Sequence, residues 1–386
     1  MKTPGIVTFR AILCIALAGS LLVGCAQKHE IVKKSIIAKV QEKFVPDSRL
    51  GVFDIRITNG RLEGKTTSQA AKEELTKAFG ESAHTVVVLP DQVSLCQNTF
   101  GFVRVPVATL YTEPSYTSPV LTQAVLGTPV QILQENGWLQ IKLPDGYIAW
   151  AVPEQIFSCD ETTYKSVSSR LTWVVRATET ALREKPDCRS QRLCLLPAGA
   201  RLFPRGEHQG PWQGVELADG TRGFVLSSHI QSITSLLEAW ESLRKNPILY
   251  GTELNRLAMR LLGQSYLWGG TSTFALDCSG FIQTVFQQTG ILLGRDADMQ
   301  ASVGEQVHPP FLPGDLLFFG VKAERNRPES IRHVALSLGG DRFIHARGKV
   351  RLGSFSPKDP EFDAYETKRF LKGIRPNLTK LPRIAH

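Results

Sequence analysis

The chain has 386 residues, 42% of them hydrophobic and 21% charged, with 45 Lys and Arg against 36 Asp and Glu and a formal net charge of +9. That length predicts two to four domains. Beyond residue 25 no apolar run is long enough to cross a bilayer, and the basic residues are scattered without a dense run. The pattern argues against both a spanning protein and a nucleic-acid partner, and leaves two readings of the charge open: contact with anionic envelope polymers, or solubility alone.

Residues 1–25 read as a targeting segment. Lys2 and Arg10 form a basic stretch, "AILCIALAGSLLV" is a short apolar one, and "LVGC" follows at Leu22 to Cys25. That tetrapeptide resembles a bacterial lipobox, which implies cleavage before Cys25 and lipidation of its thiol. Several acyl chains on one cysteine anchor a protein firmly where a single chain does not. Residue 26 is Ala rather than Asp. By resemblance to lipoprotein sorting in Gram-negative bacteria, this implies the outer membrane, facing the periplasm, in an organism that has one.

Residues 26–98 read as a tether and a small α+β unit. "GVFDIRITNGRLEGKTT" holds two alternating runs around Asn59-Gly60, a hairpin signal. "SQAAKEELTKAF" has helical spacing, and "HTVVVLP" reads as a strand. The texture then changes to short strands and turns, and it repeats. Trp138 corresponds to Trp212, and Asp145-Gly146 to Asp219-Gly220. Each copy, 99–160 and 171–232, has the pattern of a small all-β barrel and resembles a bacterial SH3-like domain. Residues 233–250 read as a helical linker, and "GTELNRLAMRLLGQ" as a further amphipathic helix opening a last domain over 251–376.

Setting aside Cys14 and Cys25, five cysteines remain: Cys96, Cys159, Cys188, Cys194 and Cys278. The sequence allows Cys188 with Cys194 and Cys96 with Cys159, and fixes neither pairing. An odd count leaves one thiol over, and on this arithmetic it is Cys278. Asp277 is a good helix cap, and "SGFIQTVFQQTG" has helical apolar spacing up to Gly290. Cys278 then sits at a helix start, where the dipole and free N–H groups favour a thiolate. A thiol nucleophile also needs a base. His333 and His345 stand in "IRHVALSLGGDRFIHARG", which reads as a hairpin. With a three-residue loop, Gly339 to Asp341, Ala335 pairs with His345 and the two histidines share a face. A two-residue loop puts them on opposite faces.

"YLWGGTSTFALDCSGF", "GRDADMQ", "PGDLLFF", "RHVALSLGG" and "FIHARG" together resemble the NlpC-type cell-wall cysteine peptidases, a circularly permuted papain-like group. The resemblance covers roughly 250–375. It implies Cys278 as nucleophile, His333 as general base and His345 as the residue orienting it. Tyr266 and the Cys278 backbone N–H are the implied oxyanion donors. The fold class expected for the whole is multidomain α+β: a papain-like domain behind two SH3-like barrels and a small α+β unit. That order of domains resembles the γ-D-glutamyl-L-diamino acid endopeptidases, in which the first barrel caps a free L-Ala amine. The matching pocket positions are Glu113, Tyr147, Tyr266, Asp277 and Ser279, with Trp268, Arg295 and Asp296 along the cleft. Gly294 stands where the family often has proline.

The expected activity is therefore a metal-free, cofactor-free thiol endopeptidase acting on peptidoglycan-derived peptides. Two other readings stay open: a hydrolase of crosslinks or stems in intact wall, and a non-catalytic wall-binding lipoprotein.

Overall fold

The structure is a computed structural model that describes residues 31–83 and 85–384. The targeting segment and Cys25 lie outside the described residues. The chain divides into two compact units, Met1–Leu89 and Pro90–His386.

In the first unit a helix over 31–44 precedes the hairpin Phe53–Thr58 and Arg61–Thr66. Asn59 and Gly60 both take positive φ, 51° and 78°, the geometry a tight hairpin turn demands. Ser68 caps the helix Gln69–Phe79 by accepting from Ala71 N–H. The strand Val86–Val88 then pairs parallel to Arg61–Thr66, with Gly64 opposite Val86. Val40, Leu62, Ala71, Leu75 and Val86 are the core that these periodicities bury.

The second unit holds two seven-stranded barrels and a domain built on a six-stranded sheet. The first barrel runs from Phe100–Val103 to Ile156–Cys159, the second from Trp173–Val175 to Ile230–Ser232. Their repeat extends to single bonds. Asp145 and Asp219 each accept a backbone N–H two residues on, from Tyr147 and Thr221. Ser118 and Ser190 each donate a hydroxyl to the carbonyl five residues back, Glu113 and Lys185. The equivalence places Lys185 and Thr221 in the second barrel where the first has Glu113 and Tyr147.

Between the barrels a helix, Glu161–Ser168, was not expected from sequence. Asp160 caps it, and Tyr164 and Val167 pack with Phe102 and Phe203, one from each barrel. The linker helix Ile233–Arg244 follows, then Pro247–Met259, capped by Asn246. This second helix begins at Pro247, so the expected boundary at 250/251 falls inside it.

All five described cysteines are free, so the two disulfides the sequence allowed are not formed. Their environments explain it. Cys159 is buried between the barrels while Cys96 is exposed in a turn at φ 48°. Cys188 lies in an exposed hairpin tip, whereas Cys194 is half-buried on a strand opposite Leu182.

Candidate active site

The six-stranded antiparallel sheet runs in the order Gly304–Val307, Phe370–Pro376, Leu316–Val321, Ser330–Gly339, Arg342–Arg347, Lys349–Ser354. The helix Cys278–Gln287 packs on it, its Phe281, Ile282, Val285 and Phe286 fully buried in one core with Leu316, Val334 and Ile344. Asp277 caps this helix and accepts from Gly280 N–H at 2.7 Å. Cys278 is therefore the first helical residue. Gly280 is required here because a Cβ would meet the Gly270 carbonyl oxygen at 2.0 Å.

The histidine hairpin has a two-residue loop, Gly340-Asp341, with Gly339 opposite Arg342, and not the three-residue loop that by itself puts both histidines on one face. A bulge between Ser337 and Gly339 restores the register, so Ser337 faces Phe343 and Leu336 faces Ile344. His333 and His345 consequently stay on one face, and Nε2 of His333 lies 2.7 Å from Nδ1 of His345. Both are buried. The Val334 backbone N–H, one residue beyond His333, reaches the Cys278 thiol and lowers its pKa, as does that of Ser279.

Burial outweighs these donors and the helix start. It pushes the Cys278 thiol up to about 11, with Asp277 adding to the rise. Burial likewise holds His333 well below its ordinary value, helped by His345, Arg369 and Arg347 and opposed by Asp363. His345 is pushed down to about 3 by burial, then by Arg347 and Arg351. The resting pair is thus thiol and neutral imidazole. Tyr266, half-buried, is raised to about 12 by burial and by Cys278 and Asp277, so its hydroxyl keeps its proton and can donate.

Three of the expected substrate contacts bond one another beside Cys278. Arg295, 2% exposed, pairs with Asp277 through Nη2 and Oδ2 at 2.5 Å and bonds Ser279 Oγ at 3.0 Å. That same Asp277 oxygen, Oδ2, also accepts from Gly269 N–H at 3.0 Å. Asp277, Ser279 and Arg295 thus form one bonded cluster that fixes the helix start. Arg295 further donates through Nε to Thr122 of the first barrel at 2.8 Å.

The other expected residues lie at this barrel contact. Tyr147 donates its hydroxyl to Asp296 at 2.8 Å. Gln123 accepts from Thr271 N–H at 3.2 Å and Oγ1 of Thr271 donates to its carbonyl at 2.9 Å. Trp268 is exposed, and its neighbour Gly269, at φ 81°, lies against Val120. Val120 ends the loop that carries the exposed Glu113, closed by Thr112 N–H on the Pro119 carbonyl. The second barrel also touches this domain: Thr273 Oγ1 donates to the Thr178 carbonyl at 2.6 Å.

Two functional candidates escaped the sequence reading. Glu366 is buried on the short helix Ala364–Arg369 behind the histidines, and Asp363, which caps that helix, is buried at its start. Glu366 Oε1 is 3.9 Å from His333 Nε2, and Asp363 Oδ2 is 3.8 Å from His345 Nε2. The signal was present as Asp-x-x-Glu, a capping pattern, since Asp363 accepts from Glu366 N–H. His333, His345 and Glu366 place possible metal-ligand atoms within 4.8 Å of one another. Their arrangement does not suit a cation: the histidine nitrogens face each other at bonding distance, and Arg347 and Arg369 each pair with Glu366.

The NlpC/P60 family model matches residues 263–369, and the bacterial dipeptidyl-peptidase Sh3 domain model matches 110–156. Over 270 residues the chain is 25% identical to dipeptidyl-peptidase 6 of Lysinibacillus sphaericus, covering 66% of this chain and 90% of that one. It is 28% identical over 250 residues to a gamma-D-glutamyl-L-lysine dipeptidyl-peptidase of Bacillus cereus (strain ATCC 10987 / NRS 248), covering 58% and 66%. A crystal structure of an NlpC/P60 family protein from Bacillus cereus ATCC 10987 shares the fold, with a TM-score of 0.56 at 21% identity over 72% of this chain and 99% of that chain. The C-terminal domain belongs to the NlpC/P60 family, and the chain is a cysteine peptidase of that peptidoglycan-cleaving family with a dipeptidyl-peptidase SH3 domain ahead of the catalytic one.

Proposed function

We propose that this peptidase cuts the amide between γ-D-Glu and the diamino acid of murein stem peptides whose N-terminal L-Ala amine is free. His333 takes the Cys278 proton as sulfur attacks the γ-carbonyl. The oxyanion is held by the Cys278 N–H, which the helix leaves unused, and by Tyr266. The diamino acid amine leaves with the proton from His333, and water releases L-Ala-D-Glu from the acyl-enzyme.

The observation carrying the specificity is the bond from Tyr147 to Asp296, which joins the first barrel to the catalytic domain at the segment beside Arg295. A carboxylate at Asp296, a phenol at Tyr147 and an exposed carboxylate at Glu113 are chemically matched to an ammonium. The second barrel's Lys185 and Thr221 are not. The name of the Bacillus cereus relative agrees in bond type, as does that of a Bacillus subtilis protein of the same name, 42% identical over 86 residues that cover 22% of this chain and 28% of that one. We further propose that Cys25 is lipidated and holds the enzyme at the outer membrane facing the periplasm, where released stem peptides are the substrate.

The test uses the chain from residue 26, alongside Cys278→Ala, on L-Ala-γ-D-Glu-meso-diaminopimelate and its N-acetylated twin, with products read by mass spectrometry. Release of L-Ala-D-Glu from the free amine alone, and only with Cys278 present, is the expected result. Cleavage of both peptides removes the amine-capping pocket, and cleavage by Cys278→Ala removes the nucleophile.

A further inference from the structure

We infer that Asp363 is a positioning residue that selects the tautomer of both histidines, making a four-member line Cys278–His333–His345–Asp363. The inference rests on the reading of Cys278 and the histidines as catalytic.

The argument follows the protons. Two neutral imidazoles joined by one hydrogen bond share one proton between His333 Nε2 and His345 Nδ1, 2.7 Å apart. Only one arrangement makes His333 a base. It must donate through Nε2–H, which leaves its Nδ1 bare to take the thiol proton. His345 must then accept at Nδ1 and carry its own proton on Nε2. That nitrogen is fully buried and makes no hydrogen bond. The nearest acidic atom facing it is Asp363 Oδ2 at 3.8 Å. An N–H pointing at a buried carboxylate is favoured, and a bare lone pair pointing at it is repelled. One carboxylate therefore sets His345, and His345 sets His333.

The remaining charges fit this assignment. Asp363 is held by Arg347 at 2.8 Å on that same oxygen. Glu366 is held by Arg347 at 3.3 Å and by Arg369 at 3.0 Å. Two carboxylates and two guanidiniums are balanced while both histidines are neutral, and Arg351 also faces His345. When His333 takes the thiol proton, Glu366 Oε1 at 3.9 Å faces the new positive charge. A plain structural role predicts something else for Asp363: it caps its helix and pairs with Arg347, with no effect on ring tautomers.

Asp363→Asn separates the two roles. Asparagine keeps the size and the cap, but its amide can present either oxygen or N–H₂ to His345 and so selects neither tautomer. We expect kcat on L-Ala-γ-D-Glu-meso-diaminopimelate to fall about 10- to 100-fold with KM unchanged and the thermal midpoint little moved. Histidine-ring ¹⁵N NMR of the otherwise unsubstituted chain from residue 26 should show His345 protonated on Nε2, and Asp363→Asn should mix the tautomers. Wild-type protein with the His345 proton on Nδ1 overturns the inference, whether or not the variant folds. So does an Asp363→Asn enzyme with unchanged kcat. Cys278→Ala is run in parallel: full activity there fails the catalytic reading itself, whereas an inactive Cys278→Ala beside an unaffected Asp363→Asn fails only the positioning role.

Discussion

At the scale of single residues, two effects compete at Cys278. The helix start and the Val334 and Ser279 N–H groups favour thiolate, and burial beside Asp277 opposes it. Burial wins, with the thiol at about 11. The sign follows directly: below that value the thiolate fraction grows tenfold per pH unit, so it is small at pH 7 and no plateau is reached near neutrality. Alkylation of Cys278 by iodoacetamide in the free enzyme should therefore climb steadily from pH 7 to 10. A plateau already reached at pH 7 would mean a preformed thiolate–imidazolium pair and would refute this ordering. The acid limb of kcat/KM should lie below 6.5, because His333 is held below its ordinary value and stays unprotonated into acid. Proton transfer is then coupled to attack, which is why the tautomer of His333 matters.

At the scale of elements, the helix Cys278–Gln287 is set by close backbone approach as much as by its apolar face. Gly280→Ala places a methyl 2.0 Å from the Gly270 oxygen, which belongs to rigid backbone held by Asp277 N–H. The helix start must move, costing about 1–3 kcal/mol by the usual scale of overpacking. Urea denaturation should show that loss, and kcat should fall further than stability alone explains, since Cys278 moves with the helix. The apolar period of this helix and its cap at Asp277 were both legible in the sequence. So were the hairpin at Asn59-Gly60 and the barrel repeat, because each rests on local chemistry. The histidine pair was legible only through a loop length that proved wrong: a bulge supplied the missing residue, and bulges leave no mark in an alternating pattern. Arg295 and Asp277 are eighteen residues apart, and sequence alone does not show that they pair. Asp363 was missed for the same reason, as its importance lies in what the fold sets it against.

At the scale of the molecule, the division after Leu89 separates cleanly from the chemistry. Every residue given a role in cleavage, from Glu113 to Glu366, lies in Pro90–His386. A chain beginning at Pro90 should keep kcat/KM on the free stem peptide within about twofold of the longer form. A tenfold loss would assign residues 26–89 a part in catalysis. The barrels stand differently. Thr271, Ser272 and Thr273 are buried, and their partners are Gln123 of the first barrel and Thr178 of the second. Val174 of the second barrel packs into the same core as Phe281 and Phe286. A chain beginning at residue 233 loses Thr122 from Arg295 as well, leaving a guanidinium N–H without its acceptor beside the helix start. That shorter chain should have a markedly lower thermal midpoint and little peptidase activity, measured beside the chain from Pro90. If it folds and cleaves both free and N-acetylated peptides at the full rate, the barrels are selectivity devices only. If it loses stability and activity together, they complete the fold of the catalytic domain, which is what the Arg295–Thr122 and Thr273–Thr178 bonds require.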